Sequence, residues 1–236
     1  MFSTGHLIWL GILAAIILGC FLLIKKCNVS QSTVQRIVLI LLVIFKLFHL
    51  CLSMKESSDG GLVIDQTQLS FHLCSIQIYL VILINVIKND RFVRTVKSFM
   101  VPCMLIGAAM ALLIPTEGVD PSVPRVWQYM LIHGTLVFYG LYLMLIERVD
   151  LSIKAYVTNL KLLLVVTVLA FLMNSVLESY RTNFLFLRKP PMEGLPILNL
   201  NNGWYIYFLS LALVACLLLL LVHLPFIVNG LRKKKQ

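Results

Sequence analysis

The chain has 236 residues, 60% of them apolar and only 13% charged, with a formal net charge of +10. Soluble domains run at about 45–50% apolar and about 25% charged, so these proportions exclude a water-soluble globular protein and place the chain in a membrane. The basic excess is not the footprint of a nucleic-acid binder, because the cations gather in the connections between apolar runs.

A hydrocarbon core asks for about 20 apolar residues per spanning helix. Seven runs of that kind follow one another at 7–24, 34–54, 69–88, 97–114, 125–146, 155–178 and 203–228. They lack the alternation of a membrane β-barrel, and the short linkers leave no room for a soluble domain. The expected fold is all-α, a seven-transmembrane-helix bundle forming one domain over residues 1–236.

The first run has no Lys or Arg before it and Lys25-Lys26 after it, the reverse of a secretory signal, so it reads as a retained helix. "ILGC" ends at Cys20, yet "FLLI" carries the run on past it. The second run holds Lys46 and His49 near its end. The third opens "LSFHLCSIQIY", with Ser70 as the expected N-cap and His72, Cys74 and Gln77 in the first two turns. The fifth, from Arg125, carries His133 roughly 12 Å along. The sixth finishes at Asn174, Glu178 and Tyr180. A long loop then brings "FLRKPP", with Arg181, Arg188 and Lys189, and the seventh run ends at "RKKKQ". The six cysteines show no regular spacing, so no disulfide framework is implied.

Thirteen cations (Lys25, Lys26, Arg36, Lys88, Arg91, Arg94, Lys97, Arg148, Lys154 and Arg232 through Lys235) fall on one side if the chain starts outside. Five (Lys55, Arg125, Arg181, Arg188, Lys189) fall on the other. The positive-inside rule then sets the N-terminus outside and the C-terminus in the cytoplasm of a multi-pass cell-membrane protein. In that frame Lys46, His49, His72, Cys74, Gln77, His133, Asn174 and Glu178 all occupy the outer half of the bilayer. Ionisable groups at such depth face a bundle interior or a watery cavity, and an outward pocket is expected. His6 and His223 read as interface residues, and Lys46 as a snorkelling side chain.

Cys74 carries the strongest chemistry. It lies in the opening turns of its helix, where the dipole favours a thiolate. His72 points about 200° away on a regular helix, so His133 is the better proton partner. Asn174 and Glu178 are available to orient that imidazole. His72 is left to bind a lipid phosphate or to stabilise a developing oxyanion. The loop from Tyr180 to Gly203 reads as an interfacial hairpin shaped by its two prolines or as a cationic lid.

"LSFHLCSIQIYL", "MLIHGTLVFYGLYL", "LMNSVLESYRTNFLFLRKPP" and "GWYIYFLSL" resemble, in order and spacing over roughly residues 65–210, the motifs of the YwaF-type family of bacterial integral membrane proteins. That family is similar to an animal branch of cysteine-centred acyltransferases acting on ether phospholipids. The resemblance implies Cys74 as nucleophile, His133 as its partner, and His72, Asn174 and Asn183 as supporting residues. Gln77, His49, Arg181, Arg188 and Lys189 complete the expected substrate-binding set. The expected chemistry is transfer of a fatty acyl chain between phospholipids and lysophospholipids through a cysteine thioester, with no cofactor and no metal. Two other classes remain open: a transporter or receptor with an outward polar pocket, and a zinc-dependent lipid hydrolase drawing on His49, His72, Cys74 and His133. The chain shows no internal repeat of the kind many transporters carry, and no HExxH pair.

Overall fold

A computed structural model describes residues 3–56, 61–69, 71–192 and 194–233. Among these residues are seven α-helices: α1 (Thr4–Lys26), α2 (Gln31–Leu52), α3 (Leu73–Val86), α4 (Asp90–Leu113), α5 (Pro124–Leu145), α6 (Ile153–Val176) and α7 (Trp204–Lys233). Six are long and apolar enough to cross a membrane. The third, at 14 residues, is about 21 Å long against a hydrocarbon core of about 30 Å.

The expected run of 69–88 is therefore broken at its front. Asp65 accepts bonds from the Thr67 amide (3.0 Å) and hydroxyl (2.6 Å), and the 3-10 turn Gln66–Gln68 follows. Ser70, the expected N-cap, lies outside the described residues. Helix α3 begins at Leu73, which makes Cys74 its second residue. A short antiparallel hairpin, β1 (Met54–Glu56) with β2 (Leu62–Ile64), precedes this turn, with Met54 opposite Ile64. Elsewhere caps extend the helices beyond the apolar runs. Helix α4 starts at Asp90, well before residue 97, because the Asn89 side chain accepts from the Phe92 amide (3.0 Å) and Asp90 sits at the positive end of the dipole.

The chain packs as two compact units, Met1–Ile64 with Cys74–Val149 and Asp65–Leu73 with Asp150–Gln236. In the first, α5 packs against α1, α2 and α4. Its glycines permit close approach: a Cβ on Gly134 would meet Leu13 Cδ2 at 2.8 Å, and one on Gly140 would meet Met104 Cβ at 3.1 Å. Trp9, Leu13, Leu112, Val126 and Met130 form a buried cluster. His6 is buried, with Nε2 2.8 Å from the Leu112 carbonyl. Toward the opposite end of α5, Lys97 and Glu147 form an ion pair at 2.7 Å.

In the second unit α6 packs against α7. Ala170, Phe184 and Leu187 form its buried cluster, joined by Leu69 and Phe71. His223 is also fully buried. Its Nδ1 donates to the Leu151 carbonyl at 3.0 Å, and the Asn159 amide lies 3.1 Å from Nε2. Both outlying histidines thus serve packing, each satisfied by a partner distant in sequence.

Candidate functional site

The polar residues divide between the units. His49, Cys74, Gln77 and His133 belong to the first, and His72, Asn174, Asn183, Arg181, Arg188 and Lys189 to the second.

In the first unit, helix register brings the sulfur and the imidazole to neighbouring levels. The Gln35 side chain donates to the Ile84 carbonyl (3.3 Å), setting the start of α2 beside the end of α3. With these helices antiparallel, Cys74, ten residues before Ile84, comes level with Phe45, ten residues after Gln35. The Phe45 carbonyl in turn accepts from Gln128 Nε2 (3.5 Å) near the start of α5. His133 is five residues further along α5, about 7.5 Å. Its side chain leans back toward the helix N-terminus, with the ring centroid 4.3 Å from that of Tyr129. Cys74 lies within electrostatic reach of Tyr129 and of the buried Cys103 on α4, and His133 within reach of His49.

The tautomer of His133 follows from its partner. Nδ1 lies 2.7 Å from the Tyr129 carbonyl. A carbonyl only accepts, so Nδ1 carries the proton, and in the neutral ring Nε2 presents a lone pair. Asn174 and Glu178 were expected to orient this ring, but the backbone of its own helix does so. His49 is placed by Gln128, whose Oε1 lies 3.4 Å from His49 Nδ1. Gln77 is fully buried one turn after Cys74, on the same helical face. Cys74 itself is a partly buried free thiol in the first turn of α3. No hydrogen bond joins it to His133 among the described residues.

The second unit holds a different kind of cluster. The buried Asn174 side chain is bonded twice to the backbone of Phe184, accepting from its amide at 2.8 Å and donating to its carbonyl at 3.1 Å. Asn183 accepts from the Arg188 and Lys189 amides (2.9 and 3.3 Å) and donates to the Lys189 carbonyl (2.9 Å). Arg188 donates to the Asn174 carbonyl (2.7 Å) and lies 3.6 Å from the Glu178 carboxylate. Trp204 Nε1 donates to the Leu187 carbonyl (2.8 Å), and the Tyr207 hydroxyl to that of Phe186. The stretch from Asn183 to Lys189 is thus fastened from α6 and α7, whereas Arg181 and Lys189 present exposed side chains. His72 packs its ring against Phe184 and Phe186, with centroids 5.6 and 5.3 Å away.

Among the described residues no group of three or more His, Cys, Asp or Glu side chains is arranged to hold a metal ion. The zinc-hydrolase reading therefore finds no ligand set there. Gln128 and Tyr129 were not singled out from sequence. Gln128 was legible as a lone amide within an apolar run, but Tyr129 acts through its backbone and leaves no signal in residue type.

Fold and site together define a multi-pass helical membrane protein whose first unit holds the free thiol of Cys74 and the imidazole of His133. The chain belongs to the TMEM164 family, whose model matches residues 1–223. That match carries membership of a membrane-protein family and does not itself extend to the YwaF-type family or to acyl transfer. Comparison with curated proteins and with solved structures found no match.

Proposed function

We propose that the protein is a phospholipid acyltransferase of the cell membrane, with its N-terminus outside and its active side facing outward. Cys74 Sγ loses its proton to His133 Nε2 and attacks the ester carbonyl of a donor phospholipid. The C–O bond breaks, the proton passes from His133 to the departing lysolipid oxygen, and the acyl chain remains as a thioester. The hydroxyl of an acceptor lysolipid then gives its proton to His133 and attacks the thioester, and the returning sulfur recovers the proton. Dividing the exchange into two displacements gives ping-pong kinetics.

The observation that carries this reading is the hydrogen bond from His133 Nδ1 to the Tyr129 carbonyl, which leaves Nε2 as a base in the unit that holds Cys74. The test is intact-mass measurement of the purified full chain after incubation with phospholipid and lysophospholipid. An acyl mass on Cys74 that hydroxylamine removes is the expected result, absent in Cys74→Ser and reduced about 100-fold or more in His133→Gln. A bare thiol in the unaltered protein refutes the proposal.

A further inference from the structure

The interior stripe of α2 does not end in an apolar residue. Val34, Val38 and Leu42 are buried at four-residue intervals, and the next position in the series is Lys46. Ile37, Ile40, Leu41, Ile44, Leu47 and Phe48 mark the opposite, exposed side of the helix. Lys46 is half-buried, and among the described residues no carboxylate pairs with it. Three acids of its unit are engaged elsewhere: Glu117 with Arg125 at 2.9 Å, Glu147 with Lys97, and Asp120 with Ser122. An ammonium on the packed face of a membrane helix is costly unless a negative group meets it.

Snorkelling is a poor answer for this residue. Lys46 lies six residues, about 9 Å, before the C-terminal end of α2. The Cα–Cβ bond of a helical residue tilts toward the helix N-terminus, away from that nearer end. The register through Gln35 and Ile84 places Cys74 level with Phe45, and so beside the level of Lys46. His49 is three residues on, a neighbour on the same face. A thiol, an imidazole and an unpaired cation thus occupy one level of the first unit.

We propose that Lys46 is the anion-holding residue of this site, its ammonium taking the phosphate of the phospholipid whose ester Cys74 attacks. The inference rests on the acyl-transfer reading for the identity of the lipid, and on the position of Lys46 for the anion. A phosphodiester lies only a few bonds from the glycerol esters, so a cation level with the sulfur fixes which ester reaches it. This makes Lys46 a selector for phosphate-bearing lipids over uncharged glycerides.

The experiment uses the detergent-purified full chain carrying Cys74→Ser, so that no turnover intervenes, and titrates it with dioleoylphosphatidylcholine or dioleoylglycerol by native mass spectrometry. Adding Lys46→Met is expected to weaken phosphatidylcholine binding about ten- to hundredfold and to leave dioleoylglycerol unchanged. Lys46→Arg keeps the preference, and Lys46→Gln gives the same loss as Met should the Met variant fail to fold. Inorganic phosphate separates the sources: millimolar phosphate that abolishes phosphatidylcholine binding marks a free-anion site and overturns the lipid assignment. An unchanged lipid preference in both neutral variants overturns the proposal entirely. A lost preference alongside a Cys74 that never acylates in the unaltered chain leaves Lys46 standing and removes the acyltransferase.

Discussion

Replacing Asn174 by Ala tests whether this residue acts on the substrate or holds the fold. It is 2% exposed, and its amide satisfies both the N–H and the C=O of Phe184, itself fully buried. Truncation leaves the Phe184 amide without a partner and its carbonyl held only by the Leu187 amide at 3.3 Å, and an orphaned buried N–H costs about 1–3 kcal/mol, so the unfolding free energy falls by about that much. The next two residues, Leu185 and Phe186, hold φ at +53° and +57°, a left-handed backbone that non-glycine residues adopt only when the surroundings enforce it. Relaxation of these two recovers part of the loss, so the lower half of the range is expected. Two measurements check it in detergent: thermal unfolding, and the rate of tryptic cleavage after Arg181 and Arg188. Cleavage should quicken markedly while acyl loading of Cys74 falls only in proportion to the folded fraction. If unfolding and cleavage stay unchanged and acyl loading alone collapses, Asn174 belongs to the chemistry and the clamp is misread.

Gly140→Leu should separate α4 from α5 and cost about 1–3 kcal/mol, because a side chain there meets Met104 Cβ at 3.1 Å and Leu105 Cδ2 at 3.2 Å; Gly140→Ala should cost visibly less in the same thermal assay. Lys97→Met should be harsher, at about 3–5 kcal/mol, since the Glu147 side chain is only 7% exposed and its Oε1 already lacks a partner among the described residues. Adding Glu147→Leu to that variant should restore most of the loss, and a double variant no better than the single one would refute the account.

Long apolar runs were readable as helices because hydrocarbon leaves the backbone no other local way to satisfy itself. Their ends were less readable, since hydropathy discards charged residues that capping retains. Asp90 through Val96 joined α4 through the Asn89 cap, and no apolar count includes them. The hairpin at Met54–Ile64 was missed because three-residue strands carry too little pattern to register. At the site, Cys74 and His133 were visible as scarce groups in oily runs, and the structure places them within one unit. The function of Asn174 was not visible, because an amide at a helix end looks the same whether it holds an imidazole or a loop. Only the 2.8 Å bond to Phe184 decides between them.

The shortness of α3 bears directly on what Cys74 can reach. Lys88 and Asp90 follow Val86 and hold that end of the helix near a membrane surface. Cys74 is twelve residues back, about 18 Å from that end, which leaves about 12 Å of a 30 Å core beyond it. A helix of ordinary length would carry its second residue to the far surface, among water and head groups. From Val86 back to Cys74, α3 stops short of a full crossing. Leu69, Phe71 and His72, which lead into it, are non-helical. Such backbone is tolerated at membrane depth only where protein encloses it or a wet cavity adjoins it. Phe71 and Leu69 are packed around Phe184, and Asn174 holds Phe184 in place. The hold of Asn174 on Phe184 is therefore what encloses the non-helical approach at Leu69 and Phe71.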